Sequence, residues 1–320
     1  MTGHLCGNAL YYGFPFFDRL NHQITINPKP PGQMIHFLKM RVVFVALIQV
    51  LYFSGKGWAG PIPAFVSIAP QKYFVERIGG KEVEVEVMVK PGESPATFNP
   101  NPKKMSRLAN SQLYFSMGVP FEKIWMSRIK AIQPDLKIIP LNRNMAEYKD
   151  SHFESHSHKE GDPHIWTNPS HVKIMATKIE VALSKEKPDK AEFFKINNIA
   201  LARELDILDQ EIRDIIASGK GRSFMVFHPA WSYFADAYGL EQISIEHQGK
   251  EPGPRALKEI INRGKKLHIK VIFVQKQFGL SVAQKVAKMI GATVQEMDPL
   301  AENYFENMRQ TAKAISGANH

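Results

Sequence analysis

Eight short apolar runs, four on each side of a pair of long helical patterns, constrain this chain more than any other feature of its sequence. The first four are Ala64–Ile68, Glu82–Val89, Gln112–Ser116 and Leu136–Leu141; the last four are Ser223–Phe227, Gln242–Ile245, Lys270–Val274 and Thr293–Met297. Runs of this length bounded by turn residues read as strands. Between them lie amphipathic stretches opening near Gln71, Pro102 and Pro120 in the first set, and near Ala230, Arg255, Leu280 and Ala301 in the second. A strand that alternates with a helix crosses over to a parallel neighbour, so each set predicts a largely parallel sheet covered by helices. Val172, Met175, Ala176, Ile179 and Leu183 recur at helical spacing as far as Pro188. Phe194, Leu201, Leu205, Leu208, Ile212 and Ile215 mark a second helix closed by Gly219, and neither reads as a flexible linker. The predicted fold is α/β: two similar lobes, each with a mostly parallel four-stranded sheet, bridged by a rigid long helix. The cleft between the lobes is the expected ligand site.

The boundaries expected from this pattern are a leader with a signal peptide over 1–59, an N-terminal lobe over 60–168, a connecting helix over 169–187 and a C-terminal lobe over 188–320. Residues 34–59 carry the signal: Lys39 and Arg41 give a positive start, Val42 to Phe53 an apolar run, and Gly57-Trp58-Ala59 the small residues of a cleavage site. That run is shorter than the roughly 20 residues that span a bilayer, so the chain is expected to be exported, with translation starting at Met34 or Met40, and not membrane-embedded. The single cysteine, Cys6, lies in the leader, which leaves the mature chain without disulfides or thiolate ligands and without a lipid-bearing cysteine at the cleavage point. Export without disulfides points to a periplasm. The formal charge of +10 raises the question of nucleic acid, but no basic run is interleaved with aromatics, and none is expected as a partner. The protein is expected to act as a monomer.

The chemistry concentrates in Ser151 to Asn168, where His152, His156, His158 and His164 alternate with Glu154, Glu160 and Asp162. Neutral imidazole and carboxylate are the donors that zinc prefers. His164 differs from the others. It sits in Asp162-Pro163-His164-Ile165-Trp166, between apolar residues and the helix-opening Thr167, Asn168 and Pro169, so its position should be fixed. His228 directly follows the strand Phe224–Phe227, and Asp298 directly follows Val294–Met297. Both belong at carboxyl ends of strands, where open α/β sheets bind their ligands. Two imidazoles and a carboxylate meeting across the cleft would suit zinc or manganese.

The sequence resembles the zinc/manganese-type periplasmic solute-binding proteins of ABC uptake systems, over essentially the whole mature chain. The resemblance rests on Val89-Lys90-Pro91-Gly92-Glu93-Ser94-Pro95 with Phe98-Asn99-Pro100-Asn101-Pro102, on Asp162-Pro163-His164-Ile165-Trp166, and on Phe227-His228-Pro229-Ala230 with Tyr233 and Tyr238-Gly239-Leu240. Glu251-Pro252 and Met297-Asp298-Pro299-Leu300 complete it. It implies two lobes on a rigid helix, a metal held between them, and delivery to an ABC permease, with ligand roles for His164, His228 and Asp298. One departure stands out: the family usually has a histidine directly after Ser-Pro in the loop after the second strand, where this chain has Ala96. A water, one of His152, His156 and His158, or Glu246 or His247 is then needed to complete the site. Zn2+ is the expected ion, with Mn2+ the alternative that Asp298, Glu246 and Glu251 would serve. The competing readings are a metal-dependent hydrolase, against which stands the lack of H-E-x-x-H, and an adhesin or other-ligand binder on the same fold.

Overall fold

The computed structural model describes residues 60–143, 162–219, 221–247 and 249–318. The leader, the signal segment and His152, His156 and His158 lie outside the described residues.

The first sheet is built from β1 (Ile62–Ile68), β2 (Val83–Val89), β3 (Leu113–Ser116) and β4 (Lys137–Pro140), the second from β5 (Ser223–Val226), β6 (Glu241–Ser244), β7 (Val271–Val274) and β8 (Thr293–Glu296). All pairings between these strands are parallel. The orders are β2-β1-β3-β4 and β6-β5-β7-β8, one topology used twice. The N-terminal crossovers are α1 (Ala69–Gly79), α2 (Pro102–Leu108) and α3 (Pro120–Ile132). Between the sheets run α4 (Pro169–Glu186) and α5 (Ala191–Ser218), and the second sheet carries α6 (Ser232–Ala237), α7 (Pro254–Lys266), α8 (Leu280–Ile290) and α9 (Tyr304–Gly317).

Local chemistry sets where the helices begin. Proline stands in the opening positions of α1, α2, α3, α4 and α7, where its missing N–H costs no hydrogen bond and its fixed φ suits the first turn. Asn101 and Asn168 cap α2 and α4, each accepting a backbone N–H at 2.9 Å. Helix α8 ends on Gly291 at φ 75°, the left-handed position that glycine adopts without strain.

The long helices α4 and α5 are joined by a short turn at Pro188–Lys190, and α5 also packs on α1 and α9. Its buried face is Phe194, Leu201, Leu205, Leu208, Ile212 and Ile216, each of which contributes about 1.5–3 kcal/mol of burial. The second sheet sorts its side chains by the period of two of a strand. Phe224, Val226 and Phe273 enter the large core shared with α4 and α5. Met225, Phe227, Ile272 and Val274 enter a separate cluster with Ile243, Ile245, Ala283, Val286 and Ala287. That second face is covered by α7 and α8, which form the outer layer of the lobe. Close approach is required there, since a Cβ on Gly264 of α7 would meet Ile290 and Met225 at 3.1 Å. Among the described residues no helix is long and apolar enough to cross a membrane.

Candidate metal centre

The site begins with a register. Strand β5 pairs with β6 so that Ser223 faces Glu241 and Val226 faces Ser244, a constant offset. The ladder continues past the strand ends, with Ile245 N–H donating to Val226 O at 3.0 Å and Glu246 N–H to Phe227 O at 2.9 Å. The same offset brings Glu246 beside His228, and the Nδ1 of His228 lies 2.9 Å from Oε2 of Glu246. Glu246 is only 2% exposed, and its other oxygen accepts the N–H of Gly249. Gln275, at the end of β7, donates from Nε2 to the carbonyl of His228 at 3.0 Å. The ring of Phe278 stacks on the imidazole at 4.9 Å and 22°. The ring is therefore held by a carboxylate at one nitrogen and by an aromatic face on its plane.

His164 is held by the same device from a different element. It opens the short 3-10 turn Ile165–Thr167, and Oδ1 of Asp162 accepts both its backbone N–H at 3.0 Å and a contact from Nδ1 at 2.7 Å. The second oxygen of Asp162 accepts the hydroxyl of Ser232, and Tyr233 donates its hydroxyl to the Asp162 carbonyl at 3.3 Å. Trp166 donates its indole N–H to the Pro299 carbonyl at 2.8 Å, and Tyr304 donates to the Trp166 carbonyl at 2.9 Å. Ser232, Tyr233, Pro299 and Tyr304 all belong to the C-terminal part of the chain. The His164 segment, which chain order assigns to the first lobe, is thus bonded to elements of the second.

Burial lowers the His164 imidazole below its ordinary value, aided by the neighbouring His228, even though Asp162 pulls the other way. Burial pushes the Asp162 carboxyl up, but the hydrogen bonds from His164 and Ser232 outweigh it and leave the group below the usual carboxylate range. The pair is a neutral imidazole on an ionised carboxylate, with Nδ1–H as the donor and Nε2 left with its lone pair.

The two imidazoles are 5.3 Å apart between ring centres, at 74°. Asp298 follows β8 on the same sheet edge as His228, Glu246 and Gln275; its Oδ1 accepts the N–H of Leu300 at 2.8 Å. Among the described residues no group of three His, Cys, Asp or Glu side chains is arranged to hold a metal ion. His247 is exposed and exchanges backbone hydrogen bonds with Lys250. Ala96 lies exposed in the loop between β2 and α2.

The family model of ZnuA, the periplasmic component A of the zinc-uptake complex, matches residues 65–318. The chain belongs to this family. A ZnuA crystal structure is similar with a TM-score of 0.75 and 35% identity, covering 81% of this chain and all of that one. A ZnuA deletion mutant with zinc bound gives 0.74 and 36% over 81% and 98%. The zinc-binding lipoprotein AdcA of Streptococcus pneumoniae serotype 4 is 25% identical over 292 residues, which are 84% of this chain and 58% of that relative. As a member of the ZnuA family the protein is the metal-binding component of an uptake system, and neither the hydrolase nor the adhesin reading is favoured. The sequence singled out His164 and His228, which the fold brings close to one another, but not Asp162 as a partner, nor Ser232, Gln275 and Phe278. The offset between β5 and β6 is the signal that could have found Glu246 as the partner of His228.

Proposed function

We propose that this protein captures one zinc ion at His164 and His228, with Asp298 as the third protein ligand, and delivers it to an ABC permease. The observation that carries the reading is that both imidazoles have Nδ1 engaged by a carboxylate at least partly buried. A metal-ligating histidine needs this arrangement, because the outer carboxylate fixes the tautomer and makes Nε2 the more basic donor. In this scheme Asp162 and Glu246 orient ligands and are not themselves ligands. The position left open by Ala96 is filled by a water or by one of His152, His156 and His158, with His247 a more remote candidate. Manganese is the alternative cargo, drawing on Asp298 and other oxygen donors.

The protein works in the periplasm after cleavage of its signal peptide, as a monomer, and binds without turning over a substrate. Calorimetric titration of the metal-free protein with zinc and with manganese tests the reading. A saturable single-site zinc isotherm that is tighter than the manganese one is expected. Heat indistinguishable from buffer for both ions would end the proposal. The same zinc-loaded protein incubated with model esters should show no hydrolysis.

A further inference from the structure

The positive charge of the chain is not spread evenly. Helix α5 carries Glu192, Glu204, Asp206, Asp209, Glu211 and Asp214 against Lys195, Arg203 and Arg213. The outer layer of the C-terminal lobe is the reverse. Helices α7 and α8 hold Arg255, Lys258, Arg263, Lys265, Lys266, Lys285 and Lys288 with Glu259 as their one acidic residue. At 100° per residue Arg255, Lys258, Lys265 and Lys266 share one face of α7, opposite Leu257, Ile260, Ile261 and Gly264, which pack on the sheet. On α8, Lys285 and Lys288 flank Met289, which is 54% exposed, while Ala283, Val286 and Ala287 point inward.

These charges are not neutralised locally. Arg255 pairs with Glu259 at 3.4 Å and Arg263 pairs with Glu241. Among the described residues no carboxylate pairs with Lys258, Lys265, Lys266, Lys285 or Lys288. The unpaired cations are all lysines. An ammonium on a flexible stem is a hydrated point charge that suits a diffuse array of negative charge, whereas recognition of a particular carboxylate favours the planar fork of arginine. Three unpaired lysines on α7 and two on α8 make a cluster of five, and clusters of four to eight cations on amphipathic helices read as contacts for anionic lipid.

We infer that the α7–α8 face docks on an anionic phospholipid surface, with Lys258, Lys265, Lys266, Lys285 and Lys288 against the headgroups and Met289 at the interface. The contact holds the lobe at a membrane by charge alone and is separate from the metal centre, so it stands or falls without the zinc reading.

The test is co-sedimentation of the full chain, in chelator, with vesicles of phosphatidylcholine alone and of phosphatidylcholine mixed with phosphatidylglycerol. Binding is expected on the mixed vesicles at low salt and is lost at about 1 M salt, where screening acts within about 3 Å. The triple variant Lys258→Gln/Lys265→Gln/Lys266→Gln should bind about a hundredfold more weakly, at about fivefold for each charge removed. Lys285→Gln/Lys288→Gln should independently cost about twenty-five-fold. Unchanged circular dichroism and unchanged urea unfolding keep the comparison clean. Equal sedimentation on neutral and mixed vesicles would overturn the inference by assigning binding to the apolar stretch 42–53. Indifference of mixed-vesicle binding to the lysine variants would overturn it equally. So would retention on polyglutamate with none on the vesicles, since the face would then be one for acidic polypeptides.

Discussion

Each lobe buries a carboxylate at the carboxyl edge of its sheet, and the two are used differently. In the N-terminal lobe Glu122, 5% exposed, accepts the hydroxyl of Ser67 and the N–H groups of Met117 and Gly118, at 2.8 and 2.9 Å for the latter two. Its partners are main chain and a hydroxyl that also meets Tyr114 at 2.8 Å. In the C-terminal lobe Glu246 is also buried, but it follows β6, the counterpart of β2, whereas Glu122 lies in the helix after β3, and one of the partners of Glu246 is the imidazole of His228. The topology is repeated while the chemistry is not: one carboxylate fixes a loop, and the other fixes a donor atom. A repeated fold therefore offers buried carboxylates at the carboxyl edge of both sheets, at different strands, and the residue facing each one decides whether it steadies a loop or a donor atom.

That contrast is open to direct attack. The largest expected effect is on His228→Ala, which removes a ligand and should weaken zinc binding by more than about a hundredfold in a calorimetric titration, beyond what loss of an outer partner costs. A near-normal isotherm would take His228 out of the site. Glu246→Gln should follow, at about ten- to a hundredfold, with the fold intact by circular dichroism. Glu122→Gln should do the opposite: zinc affinity unchanged, and a loss of about 1–3 kcal/mol in urea unfolding, because an amide N–H2 would face donors that need an acceptor. If both Gln variants shift zinc affinity alike, the distinction between the lobes is wrong.

Tyr304→Phe removes the hydrogen bond to the Trp166 carbonyl and should cost about 0.5–1.5 kcal/mol of stability, measured in the same urea experiment. The smallest effect expected is a pH dependence. Burial raises the Glu122 carboxyl above its ordinary 4.5 despite its hydrogen bonds. Between 4.5 and that raised value the folded chain retains a proton that the unfolded chain has lost, so stability falls as pH rises through the window. The contribution is fully present below 4.5. The advantage of the natural chain over Glu122→Gln should accordingly shrink as pH is raised from 4 towards neutrality.

The fold was largely legible because its signals are local. Apolar runs and turn residues located all eight strands, and Pro102, Pro120 and Pro254 lie at helix starts. Two starts moved inward: the helix expected near Ala230 begins at Ser232, after Ala230 and Trp231 have turned into the core, and that near Ala301 begins at Tyr304. The site was legible only in part. His228 and Asp298 were visible because a polar residue directly after an apolar strand is a sequence-local event. The bond between His228 and Glu246 depends on strand pairing across eighteen residues, and that between Asp162 and Ser232 on how the 162–167 segment lies against α6. Neither is written in any window of sequence.

The anchoring of Trp166 between Pro299 and Tyr304 changes what opening and shutting could mean for this molecule. The segment carrying His164 is hydrogen-bonded to the half that carries His228, so an ion gripped by these two imidazoles alone would not be released simply by a change in the angle of the other half. Escape would then be timed by the breaking of metal–nitrogen bonds and the arrival of competing donors, with no jaw to unlock.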